Sequence, residues 1–201
     1  AREITLLGQN VNAFGRDTHG DGVSFAALLE KVAALPGLKR LRYVTPHPKD
    51  MGPEDVAAFA NIPQLCPRLH LPLQAGSDAV LKRMGRKYDS ARYLELVASL
   101  RDARPDIALS TDLIVGFPGE TEEHQLETLD FLKKAQFSDA HIFPYSRRPG
   151  TPADKMDGQI DRATKAKRSK QARAVVAETR SAFLESMIGK TLPVLFETKE
   201  G

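Results

Sequence analysis

Two segments concentrate the side chains of this chain that are able to do chemistry: His70-Leu-Pro-Leu-Gln-Ala-Gly-Ser-Asp78 and Ser110-Thr-Asp-Leu-Ile-Val-Gly-Phe-Pro-Gly-Glu-Thr121. In the second, the carboxylate of Asp112 stands inside an apolar, β-branched run that ends in a glycine-rich turn and feeds a helix. Alternation along a strand sets Ser110, Asp112, Ile114 and Gly116 on one face. A buried carboxylate is costly unless something hydrogen-bonds to it, so Asp112 either answers a neighbouring protein group or awaits a ligand. Its place near the C-terminal end of a strand in a βα repeat favours the ligand. In the first segment Ser77 is suited to cap a short helix, Asp78–Met84, whose first N–H groups could meet an anion. Arg86 follows that helix and offers a fork to a carboxylate.

The other strand ends carry similar groups: Gly8-Gln9-Asn10, Thr45-Pro46-His47 and Pro144-Tyr145-Ser146. Amides, hydroxyls and one carboxylate suit a polar, zwitterionic ligand bearing a ribose or sugar. No general acid–base pair and no nucleophile with an adjacent base is evident, and no catalytic or metal-ligating residue is assigned. His70 and His141 read as oriented structural imidazoles, because no third ligand has a recognisable spacing. His47, between two prolines, fits a rigid turn as well as a substrate contact. Lys82 and Arg83 read as solvent-facing, Cys66 as packed, and Pro72 as the mark of a bulge or an edge.

Elements able to position these groups alternate along the chain. Strand patterns occupy 2–8, 40–45, 68–74, 107–117 and 139–145, and helical patterns 24–35, 53–61, 78–84, 90–103, 121–135 and 161–188. Thr121 reads as an N-cap, with Glu122 and Glu123 in the favourable first turn. Leu126, Leu129, Phe131, Leu132 and Ala135 recur at helical spacing and should face a sheet. Strands alternating with helices imply a mostly parallel α/β sheet with right-handed crossovers. Five such units with polar strand ends suggest a barrel or partial barrel, and the common phosphate-loop motifs do not occur.

The 201 residues, 41% hydrophobic, suffice for one sizeable core. One cysteine precludes an internal disulfide and suggests a reducing compartment; no membrane span or signal peptide is read, and a cytoplasmic location is expected. Between Asp161 and Lys190 eight Lys/Arg face three acids, a local excess of five positive charges. Such a stripe reads either as a solvated helix face or as a surface for nucleic acid. The absence of an initiating Met, and a new β pattern from Thr191, suggest a piece of a longer protein.

Leu6-Leu-Gly-Gln-Asn-Val-Asn12, Thr45-Pro-His-Pro48, His70–Asp78, Ser110–Thr121 and Arg148-Pro-Gly-Thr-Pro152 together resemble the radical S-adenosylmethionine (SAM) methylthiotransferases, most closely the tRNA 2-methylthio-N6-isopentenyladenosine synthases. The resemblance implies a partial (β/α)6 TIM-like radical SAM barrel, truncated at its N-terminal strand, over 1–158, with the first βα unit and the cluster loop missing. A basic helix over 159–190 and the start of a TRAM-like β domain over 191–201 would follow. It implies that Gln74 and Arg86 hold the methionine part of SAM, that Asp112 meets the ribose and Ile114 the adenine, with Gln9, Asn10, Ser77 and Tyr145 as further pocket residues. It also implies two 4Fe-4S clusters in the full-length protein, whose CxxxCxxC and second set of ligands are absent from this chain. Cys66 alone cannot replace them, so the fragment is expected to be inactive.

The implied partners are tRNA and an electron donor such as flavodoxin or ferredoxin, without a membrane, in a monomeric protein. The implied reaction places a methylthio group on C2 of N6-isopentenyladenosine beside the anticodon. Threonylcarbamoyl-adenosine in tRNA or an aspartate of a ribosomal protein are alternative targets. Outside the family, a cluster-free metal-dependent barrel using His47, His70 and Lys49, or a pure RNA-binding module, remain open readings.

Overall fold

The computed structural model describes residues 1–16 and 22–196. Five parallel strands form its frame: β1 (Glu3–Leu6), β2 (Arg40–Tyr43), β3 (Arg68–His70), β4 (Ala108–Val115) and β5 (Asp139–Pro144). β1 pairs with β2, while β3, β4 and β5 form a second parallel ladder. Leu41 joins the two, donating its N–H to Gln64 at 2.7 Å and accepting from the Cys66 N–H at 2.9 Å. The strands therefore follow chain order, each connection passing through helix: α1 (Phe25–Ala33), α2 (Pro53–Asn61), α3 (Asp78–Arg83) with α4 (Ser90–Ala103), and α5 (Glu122–Ala135). Parallel strands joined through helices give the α/β partial barrel that the alternation implies. A last helix, α6 (Arg162–Ser186), lies against β5, β4 and α5.

The helix starts follow local chemistry. Ser24, Asp89, Thr121 and Asp161 each accept a backbone N–H of the first turn, from Ala27, Arg92, His124 and Thr164 respectively. Each cap contributes about 1 kcal/mol. Ser77 departs from this pattern: it precedes α3, but its hydroxyl makes no capping bond. Pro72 sits just beyond β3, where the chain leaves the regular ladder. Thr111 repairs the gap, its Oγ1 accepting from the Leu73 N–H at 2.9 Å and donating to the Leu71 carbonyl at 2.7 Å.

The two faces of β4 differ. Leu109, Thr111, Leu113 and Val115 lie under the helices at no more than 1% exposure. Ser110, Asp112 and Ile114 occupy the other face, beside His70 of β3 and His141 and Phe143 of β5. On α5 the buried set is Gln125, Thr128, Phe131, Leu132 and Ala135, whereas Leu126 is 57% exposed, so the expected apolar face is wrong at that position. The reason is α6: the Arg168 carbonyl accepts from the Gln125 side-chain amide, which makes a polar residue the buried one.

α6 is likewise less of a free basic stripe than its composition suggests. Lys165 and Arg173 donate to the carbonyls of Tyr145 and Ile142, and Lys167, Arg168 and Arg180 pair with Glu122, Glu120 and Asp139. Residues 191–196 form no strand, and 197–201, the remainder of the expected β start, lie outside the described residues. Among the described residues no helix is long and apolar enough to cross a membrane.

Candidate functional site

A groove opens where β4 and β5 run into their following loops. Its main hollow, about 540 Å³, is lined by Gln74, Asp112, Ile114, Phe143, Tyr145 and Arg148 with neighbouring loop residues. A second hollow of about 410 Å³ adjoins it through the shared residues Ile114, Thr151 and Ala153, and includes Arg86, Met84 and Phe117. Gln74, Arg86, Asp112, Ile114 and Tyr145 are thereby gathered around one continuous groove. Its volume falls in the range of small-molecule sites.

Gln74 has φ +75°, a left-handed conformation that costs a non-glycine residue about 1–2 kcal/mol. Two backbone bonds to β4 enforce it: Gln74 N–H donates to the Asp112 carbonyl at 2.8 Å, and Ile114 N–H donates to the Gln74 carbonyl at 2.9 Å. Strain held in this way is a frequent mark of ligand-binding positions. Two polar atoms of groove-lining residues are buried without a hydrogen-bond partner, Arg86 Nε and Tyr145 Oη; Ser77 Oγ is also buried and unpartnered, but Ser77 lines neither hollow. Unpartnered buried donors and acceptors are expensive, and a ligand that completes them removes that cost.

Asp112 is only partly buried, and it does answer protein groups. His70 Nε2 lies 3.3 Å from one carboxylate oxygen, and His141 Nδ1 lies 3.7 Å from the other. The other nitrogen of His70, Nδ1, is 3.1 Å from the Ser110 hydroxyl. The two imidazoles are thus oriented by their neighbours, and among the described residues no group of three or more His, Cys, Asp or Glu is placed to hold a metal ion.

Gln9 and Asn10 line neither hollow. Asn10 donates to Asp50 Oδ2 at 2.7 Å, and Arg16 grips the same aspartate through Oδ1 and its carbonyl. Burial alone would raise the Asp50 carboxyl, but the Asn10 bond and the charges of Lys49 and Arg16 outweigh it and hold it below its ordinary value. His47 also lines neither hollow: its ring meets Tyr88 edge-on at 5.7 Å, and its Nδ1 accepts from the Lys49 N–H. Burial, then the Arg86 charge, lower its pKa. His47 and His70 therefore have separate partners and form no common centre.

The turn after β4 shapes the groove floor. Gly116 has φ +70°, and its N–H donates to Glu120 Oε1 at 2.9 Å. Arg168 reaches the same oxygen from α6 at 2.8 Å, with both side chains buried. Arg83 lies across Gly119, where a Cβ would come within 2.7 Å of the guanidinium carbon, and donates to the Pro118 carbonyl. Arg83 is thus a strut of this turn rather than a purely solvated residue. Phe143, Arg148, Thr151 and Ala153 also belong to the lining and escape a reading by strand ends alone. Alternation along β5 could have found Phe143, which pairs with Ile114 across the ladder.

The family model described as Radical SAM superfamily matches residues 1–132. The tRNA-2-methylthio-N(6)-dimethylallyladenosine synthase of Nitratidesulfovibrio vulgaris (strain Hildenborough) is 58% identical over 98% of the chain and 44% of the relative. Its namesake from Oleidesulfovibrio alaskensis is 54% identical over 98% of the chain and 43% of the relative. The chain thus spans under half the length of the curated relatives it matches. Among solved structures, coproporphyrinogen III oxidase of Escherichia coli, a radical SAM enzyme, aligns with TM-score 0.56 at 15% identity, over 88% of this chain and 52% of that one. The archaeal Elp3 of Methanocaldococcus infernus aligns with TM-score 0.55 at 14% identity, over 87% of this chain and 45% of that one. These two likenesses concern the fold.

Proposed function

Because the chain belongs to the radical SAM superfamily, we propose that its groove binds SAM and that it is the catalytic-barrel portion of a tRNA methylthiotransferase. The observation carrying the first part is the pair of unpartnered buried atoms, Arg86 Nε and Tyr145 Oη, on the lining of a groove that also holds Asp112 and the strained Gln74. This donor set fits the cofactor. Arg86 and Gln74 suit its amino-acid end, the Asp112 carboxylate suits vicinal ribose hydroxyls, and Ile114 supplies an apolar face for the adenine. Gln9 and Asn10 stand apart from that lining and are left out of the proposed set.

SAM bound here would supply the methyl group and, with a 4Fe-4S cluster, the radical initiation for which the superfamily is named. The work of this chain is then to bind and orient SAM and to shape a sheltered cavity beside it. Its single cysteine, Cys66, is buried, so the thiolates of both clusters must come from other residues of the whole protein.

The substrate assignment rests on the relatives: the proposed target is C2 of N6-isopentenyladenosine in tRNA. tRNA, an electron donor of the flavodoxin or ferredoxin type, a monomeric state and a cytoplasmic location belong to the same proposal, as does a β domain following α6. Arg162 and Lys170, exposed and without a side-chain partner among the described residues, are the α6 cations left to meet phosphate.

The test is anaerobic reconstitution of the full-length protein followed by mass spectrometry of tRNA nucleosides. A 2-methylthio derivative of isopentenyladenosine is expected; a threonylcarbamoyl product or none would overturn the substrate assignment. Asp112→Ala, Gln74→Ala and Arg86→Ala should each weaken SAM binding, and unchanged affinity in all three would refute the pocket.

A further inference from the structure

Resting on the reading of Asp112 as a ribose ligand, we propose that His70 and His141 are its positioning residues, gripping one carboxylate oxygen each from the strands on either side. β3, β4 and β5 bring the three together. His70 is the ladder partner of Ser110, which places it diagonally from Asp112, and His141 is the direct partner of Asp112. The two imidazoles come from the flanking strands and lie beside one another at the carboxylate, with ring centroids 5.7 Å apart.

Their nitrogens are not equivalent. The Ser110 hydroxyl lies at His70 Nδ1, 3.1 Å away, so an O–H donated there leaves the proton on Nε2. That nitrogen then stands 3.3 Å from Asp112 Oδ2, so the serine turns the ring toward the carboxylate. His141 approaches Oδ1 through Nδ1 at 3.7 Å, a looser contact from a more exposed ring. Ser110 itself is buried at 4% exposure and serves to orient the ring rather than as a nucleophile.

An ionised carboxylate offers about four lone-pair sites. With an imidazole beside each oxygen, at 3.3 and 3.7 Å, lone pairs on both oxygens remain for a ligand, which matches the two adjacent hydroxyls of a ribose. Without the imidazoles the Asp112 side chain is free to rotate about χ2, a broad torsion, and must be ordered on binding. The consequence is a loss of affinity for the nucleoside that leaves the fold intact.

The nitrogen used by each ring dictates the test. The amide nitrogen of Gln mimics His Nε2, and that of Asn mimics His Nδ1. In the reconstituted full-length protein, S-adenosylhomocysteine affinity would be measured by calorimetry for His70→Leu, His70→Gln, His141→Leu, His141→Asn and Asp112→Ala, with thermal melting as the fold control. His70→Leu should weaken binding about tenfold, or about 1.4 kcal/mol. His70→Gln should stay within about twofold of wild type, and His141→Leu should lose about threefold, restored by Asn; these follow from a polar group beside the carboxylate lost or kept.

Wild-type affinity in both leucine variants, with Asp112→Ala weakened, would overturn the positioning role and leave the ribose reading standing. Equal weakening by His70→Leu and His70→Gln at unchanged melting temperature would also overturn it. Wild-type affinity in Asp112→Ala would instead sink the ribose reading itself. Should His70→Leu not fold, His70→Gln and the His141 pair decide the question by the same criteria.

Discussion

Replacing Arg168 by methionine tests whether the turn below the groove is held by a charge that the fold must answer. Arg168 donates to Glu120 Oε1 at 2.8 Å and to the Glu120 carbonyl at 3.1 Å, and both side chains are 5% exposed or less. The same Oε1 accepts the Gly116 N–H, so the carboxylate links α6 to the start of the turn. Burial pushes the Glu120 carboxyl above its ordinary value, against the pull of the Gly116 N–H and of Arg168. Methionine keeps much of the volume but strands the carboxylate, and breaking a buried pair from one side costs about 3–5 kcal/mol. At about 2–4 °C per kcal/mol for a domain of this size, the melting temperature at pH 8 should fall by about 6–20 °C.

The pH dependence has a definite sign. A carboxyl whose folded pKa is raised binds its proton more readily in the folded state. Its contribution is full below the unfolded value of about 4.3 and is lost as pH rises through the folded value. Removing Arg168 takes away an influence that lowers the folded value, so the deficit of the variant should shrink between pH 8 and pH 5. Adding Glu120→Gln removes the charge while keeping an acceptor for Gly116, and should recover most of the loss at pH 8. Urea and thermal unfolding across pH 5–8 measure both effects. Equal instability of the single and double variants at pH 8, with parallel pH profiles, would refute the reasoning.

Three further outcomes are expected. Thr111→Val keeps the shape but leaves the Leu73 N–H and Leu71 carbonyl without that hydroxyl, and should cost about 1–3 kcal/mol in urea unfolding, whereas Thr111→Ser should be much milder. Gln74→Gly relieves the positive φ and should stabilise by about 1 kcal/mol at most while weakening SAM binding; a loss of both would show that the side chain supports the fold instead. His47 should titrate below the usual histidine range by NMR, and Arg86→Ala should move it upward. With its folded value lowered, the contribution of His47 to stability is present above the unfolded value of about 6.5 and is lost as pH falls through the folded one.

Much of the architecture was legible in the residues because it depends on neighbours three or four positions apart. Thr121, with Glu122 and Glu123 behind it, announces α5, and the β-branched run before Gly116 announces β4. Alternation alone puts Ser110, Asp112 and Ile114 on one face, and the polar strand ends point to the groove. The motif resemblance added the family, which the radical SAM match over residues 1–132 bears out.

What the tertiary structure decided was the choice among partners distant in the chain. Leu126 satisfies the helical period yet is exposed, because α6 arrives from 43 residues away to bury Gln125 instead. Five α6 cations that composition would send to nucleic acid dock the helix, and Asn10, plausible for the ligand, is held by Asp50 across 40 residues. Asp112 proved to be both answered and open, its two histidines supplied by separate strands. A sequence records which groups need a partner; chain closure and packing select which of several suitable groups comes within the roughly 3 Å at which a hydrogen bond forms.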